Sequence, residues 1–369
     1  MIRQIILIIM TLSLVGKSMC QEDKEHLFQT DTLKVNKKIQ VLGLPVVFYT
    51  PETSFGGGGG LQLFFHNQRS EYNERISNIF TSLIYTANKQ LIFNAIPQIY
   101  LFKGRMFLEG DFLYKEYPNS FWGIGGNTPE SALERYNMKT ISVRAALLNR
   151  IPPYLNFGFE YQFEYHKMLE VLEGGLLDTA MVPGAEGART SGLAFVLNYD
   201  DRDNVYSPLG GNYLIFKGGF SSKNLGASYS YNRYLIDLRK YFILAGKHTL
   251  AIQVYTQIAN GDVPFQSMSW LGGPERNRGF FKGRYMDNTY LLLQTEMRWR
   301  LLPRLHLNVF ASLGQVSKTL RVLFAYPKLS GGGGLRFQLL KTNPTLIRMD
   351  IGINQYGDTG LYFGVNEAF

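Results

Sequence analysis

Three observations predict that this chain is all-β, a transmembrane antiparallel β-barrel of about sixteen strands. The sequence contains long runs that alternate apolar and polar residues. It is rich in aromatics and glycine, with 26 Phe, 23 Tyr and 38 Gly against only 18% charged residues. After residue 20 it has no apolar run long enough to cross a bilayer as a helix, which takes about 20 residues. A barrel strand shows lipid only at every second residue, so a membrane-spanning chain of this kind keeps a mean hydropathy near zero. The formal charge of +9 would suit nucleic acid if it were clustered. Here the basic residues are interleaved along alternating segments, which suits a wet lumen and the membrane rims and excludes a nucleic-acid partner.

The N-terminus sets the compartment. Met1-Ile2-Arg3 is a positive start, and Ile5 to Val15 is an apolar run of signal-peptide length. Ser18 and Cys20 are small residues at the positions a signal peptidase reads, so residues 1–20 are expected to leave, with cleavage before Gln21. Lipidation at Cys20 is the alternative, and the bulky Met19 opposes it. Loss of Cys20 leaves no cysteine for disulfide or thiol chemistry. Residues 21–44 are polar and Lys-rich and are expected to form a periplasmic tail, with the barrel over 45–369.

The strands follow from period-two alternation. In 154–165, Leu155, Phe157, Phe159, Tyr161, Phe163 and Tyr165 make one greasy face, opposed by Asn156, Gly158, Glu160, Gln162 and Glu164. In 289–301 the odd residues face lipid, while Gln294, Glu296, Arg298 and Arg300 face inward. In 304–314 the inward set is Arg304, His306, Asn308, Phe310, Ser312 and Gly314. In 345–353, Ile347, Met349, Ile351 and Ile353 oppose Arg348, Asp350 and Gly352. The full set of candidates is 55–66, 75–86, 90–101, 105–115, 120–125, 138–149, 154–166, 189–200, 211–221, 226–239, 247–258, 286–301, 303–315, 332–340, 345–354 and 360–369. A soluble sandwich also alternates, but its strands average about 5–6 residues, and charges as dense as Glu296, Arg298 and Arg300 do not suit a dry core. Tight connections at 87–89 and Leu209-Gly210 are expected at one end of the barrel. The long ones, near 167–188, 259–285 and 316–331, are expected at the other.

Catalysis and metal binding find no support. The five histidines (His26, His66, His166, His248, His306) form no local Ser-His or His-x-x-His pattern, and there is no cysteine pair. The expectation is a non-enzyme with no cofactor and no metal.

Four segments carry a family likeness. Leu271-Gly272-Gly273-Pro274-Glu275-Arg276-Asn277-Arg278-Gly279-Phe280 resembles the signature loop of the BamA/TamA superfamily (the bacterial surface antigen family), whose core is Arg-Gly-Phe. Tyr199-Asp200-Asp201-Arg202-Asp203-Asn204, with Pro208 and Gly210-Gly211, resembles an aspartate-rich periplasmic turn of the same barrels. Pro45 to Phe55 and Phe121-Trp122-Gly123-Ile124-Gly125 are similar to other segments of the family. The resemblance covers the whole mature chain. It implies sixteen strands and a long external loop folded into the lumen, where Arg278 would pair with inward Glu296, Gly279 would allow a tight turn and Phe280 would pack on the wall. Ser312 stands where many members carry an aspartate, which removes a second negative charge from the expected lock. The resemblance also implies a weak lateral seam between first and last strands. Gly56, Gly57, Gly58, Gly59 and Gly60 are assigned to the first strand and the terminal aromatic Phe369 to the last. On this reading the residues before the barrel are expected to be too few for the family's client-receiving POTRA modules.

The function so implied, in the bacterial outer membrane, is insertion or translocation of outer-membrane or exported proteins without covalent chemistry. The alternative is a passive or gated channel, or a structural barrel, that has lost client handling. The expected partners are outer-membrane lipids, with separate periplasmic client-binding proteins or unfolded outer-membrane proteins.

Overall fold

The computed structural model describes residues 39–50, 54–65, 77–179, 182–320, 325–340 and 343–369. The expected signal peptide, its cleavage site and residues 21–38 of the expected tail lie outside them. Sixteen strands form one antiparallel sheet in which each strand pairs with its neighbours along the chain. They are β1 (Ile39–Thr50), β2 (Ser54–Phe65), β3 (Ser77–Thr86), β4 (Leu91–Leu101), β5 (Met106–Phe121), β6 (Glu134–Ile151), β7 (Leu155–Glu170), β8 (Ala188–Asp200), β9 (Gly211–Ser221), β10 (Tyr231–Leu244), β11 (His248–Gly261), β14 (Thr289–Arg300), β15 (Leu305–Ser317), β16 (Lys328–Leu340), β17 (Asn343–Asn354) and β18 (Thr359–Val365). The short strands β12 (Ser269–Leu271) and β13 (Tyr285–Asp287) pair with each other within the connection from β11 to β14. β18 returns beside β1, with Cα atoms within 8 Å, and closes the barrel. No hydrogen-bonded ladder joins these two strands among the described residues.

Alternation decides which side chains meet lipid. On β17, Ile347, Met349, Ile351 and Ile353 are exposed while Arg348 and Asp350 are buried. On β14, Leu293 is exposed while Gln294, Glu296 and Arg298 are buried. This inverts a soluble core, with apolar groups outward in hydrocarbon and paired charges inward.

The wall departs from the sequence reading in three places. Its first strand is β1, so residues 39–44 are wall rather than tail, and the glycines 56–60 lie in the second strand, paired to β1 on one side and β3 on the other. Residues 120–125 are not a strand of their own: β5 runs through to Phe121, and the chain then leaves the sheet. One strand missed and one spurious strand leave the total at sixteen but shift the parity of the turns between them. The turn at 87–90 therefore lies at the same end as the long connections 122–133, 171–187, 262–288 and 318–327, opposite the 201–210 turn. The third departure is at Phe369. β18 stops at Val365, Asn366 turns with φ of 64°, and the chain bends into the lumen. Phe369 lies beyond the last strand to which it was assigned, buried against Tyr241 and Ala251 on the inner face of β10 and β11.

Glycine runs interrupt the wall on both sides of the β18–β1 joint. Gly56 to Gly60 lie on β2 and Gly331 to Gly334 on β16. Gly57 and Gly59 face outward into open space, in register with exposed Tyr85 and Leu83. Gly331 and Gly333 stand in register with exposed Ile353 and Ile351.

At the long-loop end, Phe121, Tyr136, Leu177, Phe265, Met268 and Met286 come from several connections and strand ends and bury one another. This cluster positions the 262–288 connection, whose tip descends into the lumen.

Candidate functional site: the lumenal arginine loop

The loop after β12 is closed at its neck by backbone bonds from Gly273 N–H to the Phe280 carbonyl (3.1 Å) and from Gly283 N–H to the Leu271 carbonyl (2.9 Å). Its tip needs glycine at 279. The φ there is +111°, a conformation L side chains rarely adopt, and an added Cβ would sit 2.7 Å from the Ile353 carbonyl carbon on β17. Gly279 N–H donates to the Tyr362 hydroxyl on β18 (3.0 Å), and Asn354 Nδ2 on β17 donates to the Gly279 carbonyl (3.1 Å). Phe280 is buried with Leu271, Tyr285, Tyr290 and Leu292.

The wall is hollowed to receive the tip. A Cβ on Gly352 of β17 would lie 2.6 Å from the Arg278 carbonyl carbon, and one on Gly314 of β15 would collide with the Asn277 amide. The close approach lets Arg278, only 1% exposed, reach two carboxylates: Nη2 to Glu296 Oε2 at 2.5 Å and Nη1 to Asp350 Oδ2 at 2.6 Å. Its guanidinium also stacks over the Phe310 ring, 3.5 Å from the centroid. Arg298 holds the other oxygen of Glu296 at 2.9 Å, and Arg336 holds the other oxygen of Asp350 at 2.5 Å. Arg336 and Arg298 also reach Glu367, at 2.7 and 3.8 Å. Charges this deeply buried persist because each carboxylate is shared by more than one cation. The network runs from the loop tip to the inward-bent chain end, where Arg298 Nη2 donates to the Phe369 carbonyl at 2.8 Å.

Arg278, Gly279, Phe280, Glu296 and Ser312 thus meet in one place. Ser312 contributes a hydroxyl, accepting from Asn277 Nδ2 at 3.2 Å and sharing a hydrogen bond with Ser330 at 2.7 Å. The second acid is Asp350, from another strand. Its signal was its place on the inward face of 345–353. Asn277, also not singled out by sequence, is held by the Tyr290 hydroxyl, which donates to its Oδ1 at 2.7 Å. No spacing in the sequence marks that contact.

The aspartate-rich turn is a separate site at the opposite end. Arg202 forks onto Asp200 with bonds of 2.8 and 3.1 Å and lies over the Tyr213 ring. Asp201 takes the Asn212 amide and the Tyr199 hydroxyl. Asp203 accepts the backbone N–H of Asn204, Leu209 and Gly210 at 2.9, 3.0 and 3.3 Å, so it closes the turn on itself. Burial pushes its carboxyl up in pKa, against the pull of those donors. Asn204 caps the N–H of Tyr206 and Ser207, and Pro208 falls inside the loop that Asp203 encloses. Gly210 of the motif lies against Ile243, and its neighbour Gly211 takes a left-handed conformation (φ +107°). Asp203→Ala is expected to strand three N–H groups at a cost of about 1–3 kcal/mol. Hydrogen exchange at residues 204, 209 and 210 should accelerate while β14 to β17 stay protected; unchanged exchange there contradicts this role.

A model of the Omp85 superfamily domain matches residues 58–369. None of the curated proteins matches the sequence. Among solved structures, the chain is similar to BamA from Haemophilus ducreyi lacking POTRA domains 1-3, at 14% identity over 89% of this chain and 70% of that one, with a TM-score of 0.61. It is also similar to CdiB from Acinetobacter baumannii (16% identity, 89% and 60% covered, TM-score 0.58) and to CdiB from Escherichia coli (13% identity, 89% and 62% covered, TM-score 0.60). At these identities the likeness is one of fold. The chain spans about three-fifths of the length of either CdiB chain.

Proposed function

This chain belongs to the Omp85 superfamily and is an outer-membrane β-barrel, and from that premise we propose that it assists the insertion of outer-membrane proteins or the translocation of exported ones, without covalent chemistry. The observation that carries the reading is the joint between β18 and β1, where two adjacent strands lack the ladder that every other neighbouring pair in the wall possesses among the described residues. Unpaired strand edges are templates for another strand. A client strand can use such a joint because its backbone groups must be satisfied inside the bilayer. The loop tip bonds to both β17 and β18, so in this reading the loop braces the joint and its arginine locks the brace. The partners are lipids, unfolded client proteins and separate periplasmic proteins that deliver them.

The polar lumen favours a second reading, a gated channel. Arg144, Glu160, Lys217 and Arg233 line a cavity between β6 and β11. Proteoliposomes carrying the full chain separate the two. A urea-unfolded outer-membrane barrel should become protease-protected faster in them than in empty liposomes. Equal rates, together with ion conductance, would replace the insertion reading with the channel.

A further inference from the structure

Beneath the loop tip, four guanidinium groups meet three side-chain carboxylates, and Arg298 also holds the Phe369 oxygen at 2.8 Å. Arg278, Arg298 and Arg336 each have a carboxylate oxygen within 2.9 Å. Arg348 does not. Its Nε lies 3.8 Å from Asp350 Oδ2, and that oxygen is already held by Arg278 at 2.6 Å. Glu275 in the loop acts on it only from beyond ion-pairing range. Arg348 is 5% exposed, and its Nε and Nη1 have no hydrogen-bond partner. The guanidinium lies across Gly364 of β18, where an added Cβ would sit 2.9 Å from Nη2. The glycine gap therefore seats the cation against a strand that offers it no counter-charge.

Water in the lumen can satisfy a stray N–H but does not balance a charge, and a buried ion without a close counter-ion is strongly destabilising. Arg348 is the one of the four with no carboxylate oxygen nearer than 3.8 Å, and it keeps two free donors. We propose that Arg348 is the receptor of a small monovalent anion of the chloride or carboxylate class, bound on the lumenal face of β17 and β18 by its two free donors. This site is independent of whether the barrel inserts proteins or conducts ions.

The test uses the full chain in detergent, with its heat-modified gel shift followed at fixed temperature. A bulky sulfonate salt is replaced stepwise by chloride, and separately by acetate, at constant ionic strength. A ligand bound only by the folded state shifts the folding equilibrium about tenfold at roughly ten times its Kd. Wild type and R348K should show such a saturable gain with at least one of the two anions, and R348Q should show none. A flat wild-type response to both anions overturns the site, as does a response of equal size in R348Q. Should R348Q fail to fold, the titration of wild type still decides, with R348K retaining the response if the charge is what binds.

Discussion

Arg278→Ala should free the loop tip from the lumen wall and leave the barrel folded. The arginine joins Glu296 and Asp350, but each carboxylate keeps a second cation, Arg298 or Arg336, when it is removed. The loss is therefore that of charge-assisted bonds, about 1–3 kcal/mol. Glu296→Ala should cost more, about 3–5 kcal/mol, because it leaves Arg278, Arg298 and Arg336 to share Asp350 and Glu367. The double variant should lose less than the sum of the single losses, since both remove the same contact. Protease cleavage within 272–285 reports the loop, and ion conductance reports the lumen it vacates. Additive losses, or a loop already cleaved in the wild type, would show that the ion pair does not hold the tip.

Gly352→Ala should expel the same loop by shape alone. A methyl group there would lie 2.6 Å from the Arg278 carbonyl carbon and 2.7 Å from the Gly279 nitrogen, both backbone atoms that cannot rotate away. Overpacking of this kind costs about 1–3 kcal/mol, and the ion pairs are lost with the displaced tip. The wall ladder of β17 is untouched, so the heat-modified gel shift should persist. Gly57→Ala is the matched control, because a Cβ there meets nothing within 4 Å, and its effect should stay within about 0.5 kcal/mol. Protection of the loop unchanged in Gly352→Ala would mean that the tip does not rest on β17.

Much of the wall was legible because alternation is a local signal. The inward face of 289–301 is read directly from the order of Gln294, Glu296 and Arg298, and the same rule puts Asp350 inward. β1 escaped because 39–44 lies in a stretch judged polar and Lys-rich, and what makes it a strand is its pairing with β2. The 120–125 stretch misled because its aromatics Phe121 and Trp122 pack into the external cluster and against the loop, a burial that mimics a membrane face. The partners of Arg278 could be only half read. Glu296 was named, but the choice of Asp350 depends on how strands three apart face each other across the lumen, which no spacing encodes. The inward bend of the last residues was hidden for the same reason, since Glu367 and Phe369 are held by Arg336, Arg298 and Tyr241, far away in sequence.

The two glycine runs have a mechanical consequence. β2 and β16 each present a strip of bare backbone to the hydrocarbon, and between these strips lie β17, β18 and β1. A glycine strip contributes neither side-chain interlock with its neighbours nor thickness to the shell. The cylinder is thus scored along two lines, one on either side of its unladdered joint. Bending stress in the shell concentrates along score lines, so a sideways load from the bilayer deforms this narrow panel before the thicker arc from β5 to β11. The least stiff sector of the wall and the joint coincide, and both lie on the side where the arginine loop presses from within.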